Sequence, residues 1–408
     1  MTTSPANDGT AAVRPVPFIS RVRLTNYKSI AFCDVRLEPL TVLVGPNGSG
    51  KSNFLDALAL LARALETTPT QAIEERGGLT EILRRVPEPA GSFSIAVTVK
   101  VPWEPSADVP GDAAYEFEIG SSPPPSLYPL EVLREHCLLH HEAGESEFYA
   151  ERGNVDIDSP GLADGATIGP TRLFLSSSGA PPFAALYEGL HRMRFYNFDV
   201  ETLRDLYPSD VRASLGHGGE HLGDVLAALE TDRRDYKSRI DAYIRAVMPD
   251  ATAIESSSAI GYTTVALKTG VHGEVFTFGP RSMSDGTIRA AGVLAALFQP
   301  QALDGRLPLV GIEEPEVAHH PAAAGVLFDA LTEASGHIQV LATSQSADLL
   351  DRDELDVKTI RPVTMRDGLT IIGEVDDASR EIVEKKIYTL GELMRGSQLM
   401  PKQQPPEN

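Results

Sequence analysis

Residues 41–61 read TVLVGPNGSGKSNFLDALALL and change texture twice. Thr41 to Val44 is apolar almost throughout, the character of a strand covered on both faces. After the loop GPNGSGKS, residues 45–52, apolar residues recur at 54, 55, 58, 61, 62 and 65, which is helical spacing. The order is strand, glycine loop, helix. Gly45, Gly50, Lys51 and Ser52 complete the P-loop pattern. Its glycines let the backbone curl so that N–H groups and a helix N-terminus face the β- and γ-phosphates of a nucleotide. The expected phosphate cradle is Gly45, Pro46, Asn47, Gly48, Ser49, Gly50, Lys51, Ser52 and Asn53, with the Lys51 ammonium against the phosphates and the Ser52 hydroxyl on Mg²⁺.

Upstream, residues 1–17 are small and proline-rich and are expected to be a disordered tail. Strand-like runs FISRVRL, YKSI and FCDVRL follow, with a turn at Thr25 and Asn26. Downstream, residues 70–280 carry proline clusters between strand-like stretches (SFSIAVTVKV, AYEFEIG, HCLLHH, EFYAE). One or two short helices are expected over 183–206 and one amphipathic helix over 219–248, then the strands ATAIESS, YTTVALK and EVFTFG. The last third alternates helix and strand, the signature of a mostly parallel sheet. The expected fold class is α/β: a P-loop core with a mostly parallel sheet, an antiparallel β subdomain and a helical lobe. The divisions are an N-terminal lobe at 18–70, an inserted β-rich and helical lobe at 71–280, a C-terminal lobe at 281–395 and a disordered tail at 396–408.

The composition narrows the setting. The chain has 408 residues, with 36 basic and 57 acidic, for a net charge of −21, so its surface as a whole repels nucleic acid and acidic membranes. Any DNA contact must be a local basic patch, and Arg21, Arg23 and Lys28 are the candidates, although edge-strand charges that deter aggregation read the same way. Two cysteines, Cys33 and Cys137, are too few for a disulfide framework, and no apolar run approaches the roughly 20 residues of a membrane span. A reduced, cytoplasmic location without a membrane is expected.

A second motif lies at LPLVGIEEPE, residues 307–316, where Glu313 and Glu314 end an apolar strand. Carboxylates there lie on the edge where open α/β sheets bind ligands. Glu313 is the candidate metal ligand, and Glu314 the candidate base for the water attacking the γ-phosphate. HCLLHH at 136–141 alternates faces in a strand and lacks a matching second pair, which argues against zinc. Asp376 and Asp377 read as loop charges.

With SMSDGT at 282–287, IEEPE at 312–316 running on into VAHHP, and ATSQS at 342–346, the chain resembles an ABC-type ATPase head of the RecF, SMC and OLD-nuclease kind. SMSDGT resembles the signature motif, with Ser284, Asp285 and Gly286 at its centre and Arg289 just after; taken alone it is also an ordinary helix N-cap. The resemblance implies ATP and Mg²⁺ as cofactors and a second copy of the chain as partner, each P-loop facing the other copy's signature across ATP. It places Gln345 where the group usually has a switch histidine, and Gln345 cannot carry a proton near neutral pH. It also puts His319 and His320 in a segment facing the second copy. The group's metal-contacting glutamine is unassigned, because Gln71 has an unconvincing helix-end context. The stretch between Ser52 and Ser282 lacks a long coiled coil, and the short stretch after DGLTIIGEVDD is too small for the OLD-type nuclease domain, so a nuclease would be a separate effector. Two readings follow: a hydrolysing switch acting on DNA or on a DNA-processing partner in genome maintenance or phage and plasmid defence, and a slow ATP sensor-scaffold holding an effector such as a nuclease or toxin.

Overall fold

The structure is a computed structural model that describes residues 18–101, 111–122, 129–141, 144–159, 165–177, 181–316, 321–352 and 355–402. Strands β1 (Ile19–Tyr27) and β2 (Ile30–Arg36) precede β3 (Leu40–Val44) and helix α1 (Lys51–Glu66). Then come β4 (Ser92–Val101), β5 (Gly111–Ser121), β6 (Leu130–His141), β7 (Gly144–Glu151), β8 (Asn154–Asp158) and β9 (Ala166–Thr167). A more helical stretch carries β10 (Arg194–Tyr196), β11 (Tyr207–Pro208), β12 (Ala251–Ala259), β13 (Tyr262–Val271) and β14 (Glu274–Phe278). The chain returns through β15 (Leu309–Glu313), β16 (Gln339–Ser344), β17 (Ile360–Arg366) and β18 (Leu369–Ile372).

The central sheet runs β10-β15-β16-β3-β17-β18, with every neighbouring pair parallel except β17 and β18. All five residues of β3 and all six of β16 are buried, as strands covered on both faces must be. Side chains alternate between two cores. Leu43, Leu309, Leu341 and Val363 face the first core, and Val42, Val44, Val310, Ile312, Val340 and Ala342 face the second. The first core also holds Phe54, Leu58, Leu61 and Leu65 of α1 and the inner face of an antiparallel sheet ordered β2-β1-β4-β5-β6-β7-β8-β9. The second is built on the helix Asp285–Phe298, the helices Leu222–Asp232 and Arg234–Val247, and the sheet of β11, β13, β12 and β14.

Four expectations change. The eight-stranded sheet joins β1 and β2, before the P-loop, to β4–β9, after it, so a boundary at residue 70 divides the sequence but not the sheet. The first turn is not at Thr25 and Asn26. β1 continues past a left-handed Asn26 (φ 57°) to Tyr27, because Tyr27 pairs with Ile30 and is anchored in the core with its hydroxyl on Asp56 (2.7 Å), and the chain reverses at Lys28 and Ser29. The single helix over 219–248 is two helices, broken at Arg233 (φ −140°, ψ 57°), whose guanidinium pairs with Asp304. The tail from residue 396 is packed as far as Lys402: Leu399 is buried, Pro401 bridges Val375, and the Lys402 N–H donates to the Glu374 carbonyl at 2.7 Å. Among the described residues, no helix is long and apolar enough to cross a membrane.

Candidate functional site

The C-terminal ends of β3, β10, β15 and β16 open on one edge of the parallel sheet, the side where such sheets bind ligands. Register brings them level: Glu313 lies opposite Thr343, and Ser344 opposite Val44. β3 passes into the loop 45–50, which curls through Gly48 (φ 74°) and Gly50 (φ 100°), a region L side chains rarely adopt. Gly45 and Gly50 are also constrained by space. A Cβ on Gly45 would lie 2.1 Å from the Val363 carbonyl oxygen, and one on Gly50 would lie 2.0 Å from Thr370 Oγ1. The β17–β18 hairpin therefore backs the loop at both ends.

Lys51 is buried, and its ammonium donates to the carbonyls of Gly45 (2.8 Å) and Pro46 (3.0 Å). Burial holds it below the ordinary lysine value, against the opposing charges of Glu314, Glu316 and Glu313. A buried cation beside a glycine loop suits an anion of high charge. Ser49 Oγ is buried without a hydrogen-bond partner among the described residues, a polar atom left for a ligand. Pro46, Asn47 and Gly48 are exposed at the mouth.

Ser52 Oγ donates to Glu313 Oε2 at 2.7 Å, joining the first turn of α1 to the end of β15. A hydroxyl and a carboxylate form the all-oxygen donor set that Mg²⁺ takes, so these residues fit that ion. Glu314 sits at φ 43°, held by its N–H donating to the carbonyl and the hydroxyl of Thr343, both at 3.1 Å. Strained non-glycine backbone of this kind clusters at functional sites. Gln345 Nε2 donates to Glu314 Oε2 at 3.1 Å. The third carboxylate of IEEPE does a different job. Glu316 is buried and accepts from Ser344 Oγ (2.6 Å) and the Gln345 N–H (3.2 Å), so it fastens the loop that carries Gln345. Burial pushes its carboxyl above the ordinary value, while those hydrogen bonds pull it down.

The structure thus brings Lys51, Ser52, Glu313, Glu314 and Gln345 together. Ser284, Asp285 and Gly286 lie elsewhere, at the start of the helix Asp285–Phe298. Ser284 is exposed and caps that helix by accepting from the Thr287 N–H at 3.1 Å, and Arg204 fixes the turn through the Met283 carbonyl (2.9 Å) and Asp285 (2.7 Å). The Asn53 carboxamide donates to Ser29 Oγ at 2.7 Å, behind the loop. Gln71 is exposed and bonds Glu75, and Asp376 is a helix N-cap. His136 and His140 pair with Glu147 and Glu145 on β7. His319 and His320 lie outside the described residues.

Sequence reasoning missed β10. Phe195 pairs with Gly311 and Tyr196 with Ile312, so the next residue, Asn197, emerges beside Glu313. Its N–H donates to the His217 carbonyl (3.0 Å), and the His217 ring bonds the Phe195 carbonyl (2.7 Å). Asn197 is exposed there. A cavity of about 620 Å³ runs along α1, with Glu313, Arg194, Arg63 and His217 among its walls. Only the short aromatic run RFYNF hinted at a strand here.

A family profile described as "AAA domain, putative AbiEii toxin, Type IV TA system" matches residues 40–351. The chain belongs to that family. It is also 46% identical over 46 residues to the DNA replication and repair protein RecF of Corynebacterium jeikeium (strain K411), a match covering 11% of each chain. It is 37% identical over 62 residues to the RecF of Magnetococcus marinus (strain ATCC BAA-1437 / JCM 17883 / MC-1), covering 14% of this chain and 16% of the relative. The chain therefore matches well under a fifth of the length of either curated relative. The crystal structure of the SmcHead bound to the C-winged helix domain of ScpA superposes with TM-score 0.55 at 14% identity, covering 89% of this chain and 100% of that one. An Smc head domain with an extended coiled coil, bound to the C-terminal domain of ScpA derived from Pyrococcus furiosus, gives 0.51 at 13%, covering 91% and 100%. At these identities the likeness to the solved structures is one of fold. Family and fold together place this AAA-family chain with the ABC-type ATPase heads of the RecF and SMC group.

Proposed function

We propose that this chain binds Mg-ATP at the loop 45–53, hydrolyses it, and uses the cycle to open and close a head-to-head dimer with a second copy of itself. The observation that carries this reading is the Ser52–Glu313 bond beside the Gln345–Glu314 bond, which brings a hydroxyl and two carboxylates next to the buried Lys51. Lys51 and the loop N–H groups neutralise the phosphates. Ser52 and Glu313 would hold the Mg²⁺, which would supply Lewis-acid polarisation of the phosphoryl oxygens. Glu314 takes the proton of the attacking water, Gln345 holds that carboxylate in place, and Asn197 orients water from the neighbouring strand end. The exposed Ser284 and the helix N-terminus behind it are offered to the γ-phosphate bound by the other copy.

A protein partner is favoured over DNA. Arg21 pairs with Asp34, Arg23 with Glu116 and Lys28 with Asp56, so the expected basic patch is largely neutralised within a chain of net charge −21. The Smc heads of similar fold are bound to domains of ScpA, which supports a separate effector on this one. The sensor-scaffold reading draws support from Gln345, because a carboxamide cannot shuttle a proton at the switch position. Titration of Mg-ATP against wild type and Lys51→Ala, with phosphate release measured in parallel, tests the proposal. Wild type is expected to bind and turn over, and Lys51→Ala to lose binding by at least about a hundredfold. Equal affinity of the two proteins would remove the loop assignment, and tight binding without turnover would leave the sensor-scaffold.

A further inference from the structure

Behind the glycine loop lies a chain of hydrogen bonds that the reading above does not use. Asn53 Nδ2 lies 2.7 Å from Ser29 Oγ, Ser29 Oγ 2.6 Å from Thr370 Oγ1, and Thr370 Oγ1 2.9 Å from the Ser49 carbonyl oxygen. The direction of each bond follows from counting hydrogens. A carbonyl only accepts, so Thr370 spends its single hydroxyl hydrogen on Ser49. Ser29 must then donate to Thr370, and Asn53 donates to Ser29. The path runs one way, from α1 through the β1–β2 turn and β18 to the loop backbone. Thr370 is buried, and its own N–H donates to the Ser29 carbonyl at 2.9 Å, so the two hydroxyls are held face to face.

The last bond fixes a peptide plane. In a trans peptide the C=O and the following N–H point in opposite directions. Anchoring the Ser49 carbonyl on Thr370 therefore turns the Gly50 N–H to the side away from β18. Gly50 can hold this plane because it has φ 100° and no Cβ; a Cβ there would lie 2.0 Å from Thr370 Oγ1. The geometry points to Thr370 as a positioning residue for the nucleotide: with Ser29 behind it, it aims the Gly50 N–H at the phosphates. This rests on the ATP-binding reading and adds that β18, far along the chain, sets the affinity of the loop. Thr370 touches no phosphate itself and acts through the loop backbone.

The test uses the full chain with Thr370→Val, Thr370→Ser and Ser29→Ala. A fluorescent ATP analogue is titrated in Mg²⁺, and thermal unfolding is followed without nucleotide. Thr370→Val keeps the shape and loses the hydroxyl, and it is expected to weaken binding about tenfold, the usual worth of one such bond. Thr370→Ser is expected to restore affinity to within about twofold, and Ser29→Ala to cost about threefold because Thr370 keeps its bond to Ser49. A side chain that only packs would lower the unfolding temperature and leave the affinity of the folded protein unchanged. Wild-type affinity in folded Thr370→Val overturns the proposal; if that variant does not fold, wild-type affinity in Ser29→Ala does so. Absence of ATP binding by wild type removes the underlying reading as well, and is seen before any variant is compared.

Discussion

Gln345 is the residue that departs most from what its family resemblance implies. Its carboxamide has no proton to give or take near neutral pH, yet it bonds the carboxylate expected to act as base. In the proposed cycle its role is therefore orientation. Gln345→Ala is expected to lower kcat about tenfold and leave KM within about twofold, because the lost bond acts on the attacking water and not on the bound phosphates. Steady-state phosphate release over a range of ATP checks this; a change confined to KM would place Gln345 in nucleotide binding instead. At this scale much was legible in the sequence. Lys51, Ser52, Glu313 and Glu314 were nameable because a P-loop and a strand-end glutamate pair are local patterns with local chemistry. Asn197 was not, since its place beside Glu313 depends on the register of β10 against β15, a pairing across more than a hundred residues.

Among the elements, those with a period were readable and those without were not. α1 repeats its apolar face over several turns, whereas β10 has three residues and cannot display alternation. Helix breaks were also hidden: the apolar spacing runs through Arg233, and only the backbone there shows two helices. The antiparallel sheet carries a further buried group, Glu135. Its carboxylate accepts from the Tyr115 hydroxyl (2.9 Å), the Phe174 N–H (2.5 Å) and the Leu175 N–H (3.0 Å), tying the segment after β9 to β5 and β6. Burial pushes it up from 4.5 to about 7, although those hydrogen bonds favour the charged form. The folded protein thus holds this proton more tightly than the unfolded chain does. The associated stability is fully present below about pH 4.5 and is lost as pH rises through 7, a difference on the order of 3 kcal/mol. Urea unfolding of wild type and Glu135→Gln between pH 5 and 8 isolates it. Wild type is expected to lose stability relative to the variant as pH rises, and parallel curves would show that Glu135 does not titrate in this window.

For the molecule as a whole, the parallel sheet sits between two cores, and the candidate site lies where they meet. The first core reaches it through α1 and the second through β10 and the helix Asp285–Phe298, with Arg289 Nη1 donating to the Phe198 carbonyl (2.7 Å) just beyond Asn197. The sequence carried the two ends of this arrangement, but the shared eight-stranded sheet was invisible in it, because β1 and β2 are separated from β4 by the whole P-loop helix. Ser284 is exposed and lies outside the cluster around Lys51, and in the proposed cycle a second copy would bring its own Ser284 to that cluster. Sedimentation of Glu314→Gln with and without Mg-ATP tests this directly, since slowed hydrolysis preserves the bound state. The expected result is a dimer that forms with Mg-ATP and disperses without it. A particle that stays monomeric at saturating Mg-ATP would contradict the nucleotide-linked switch.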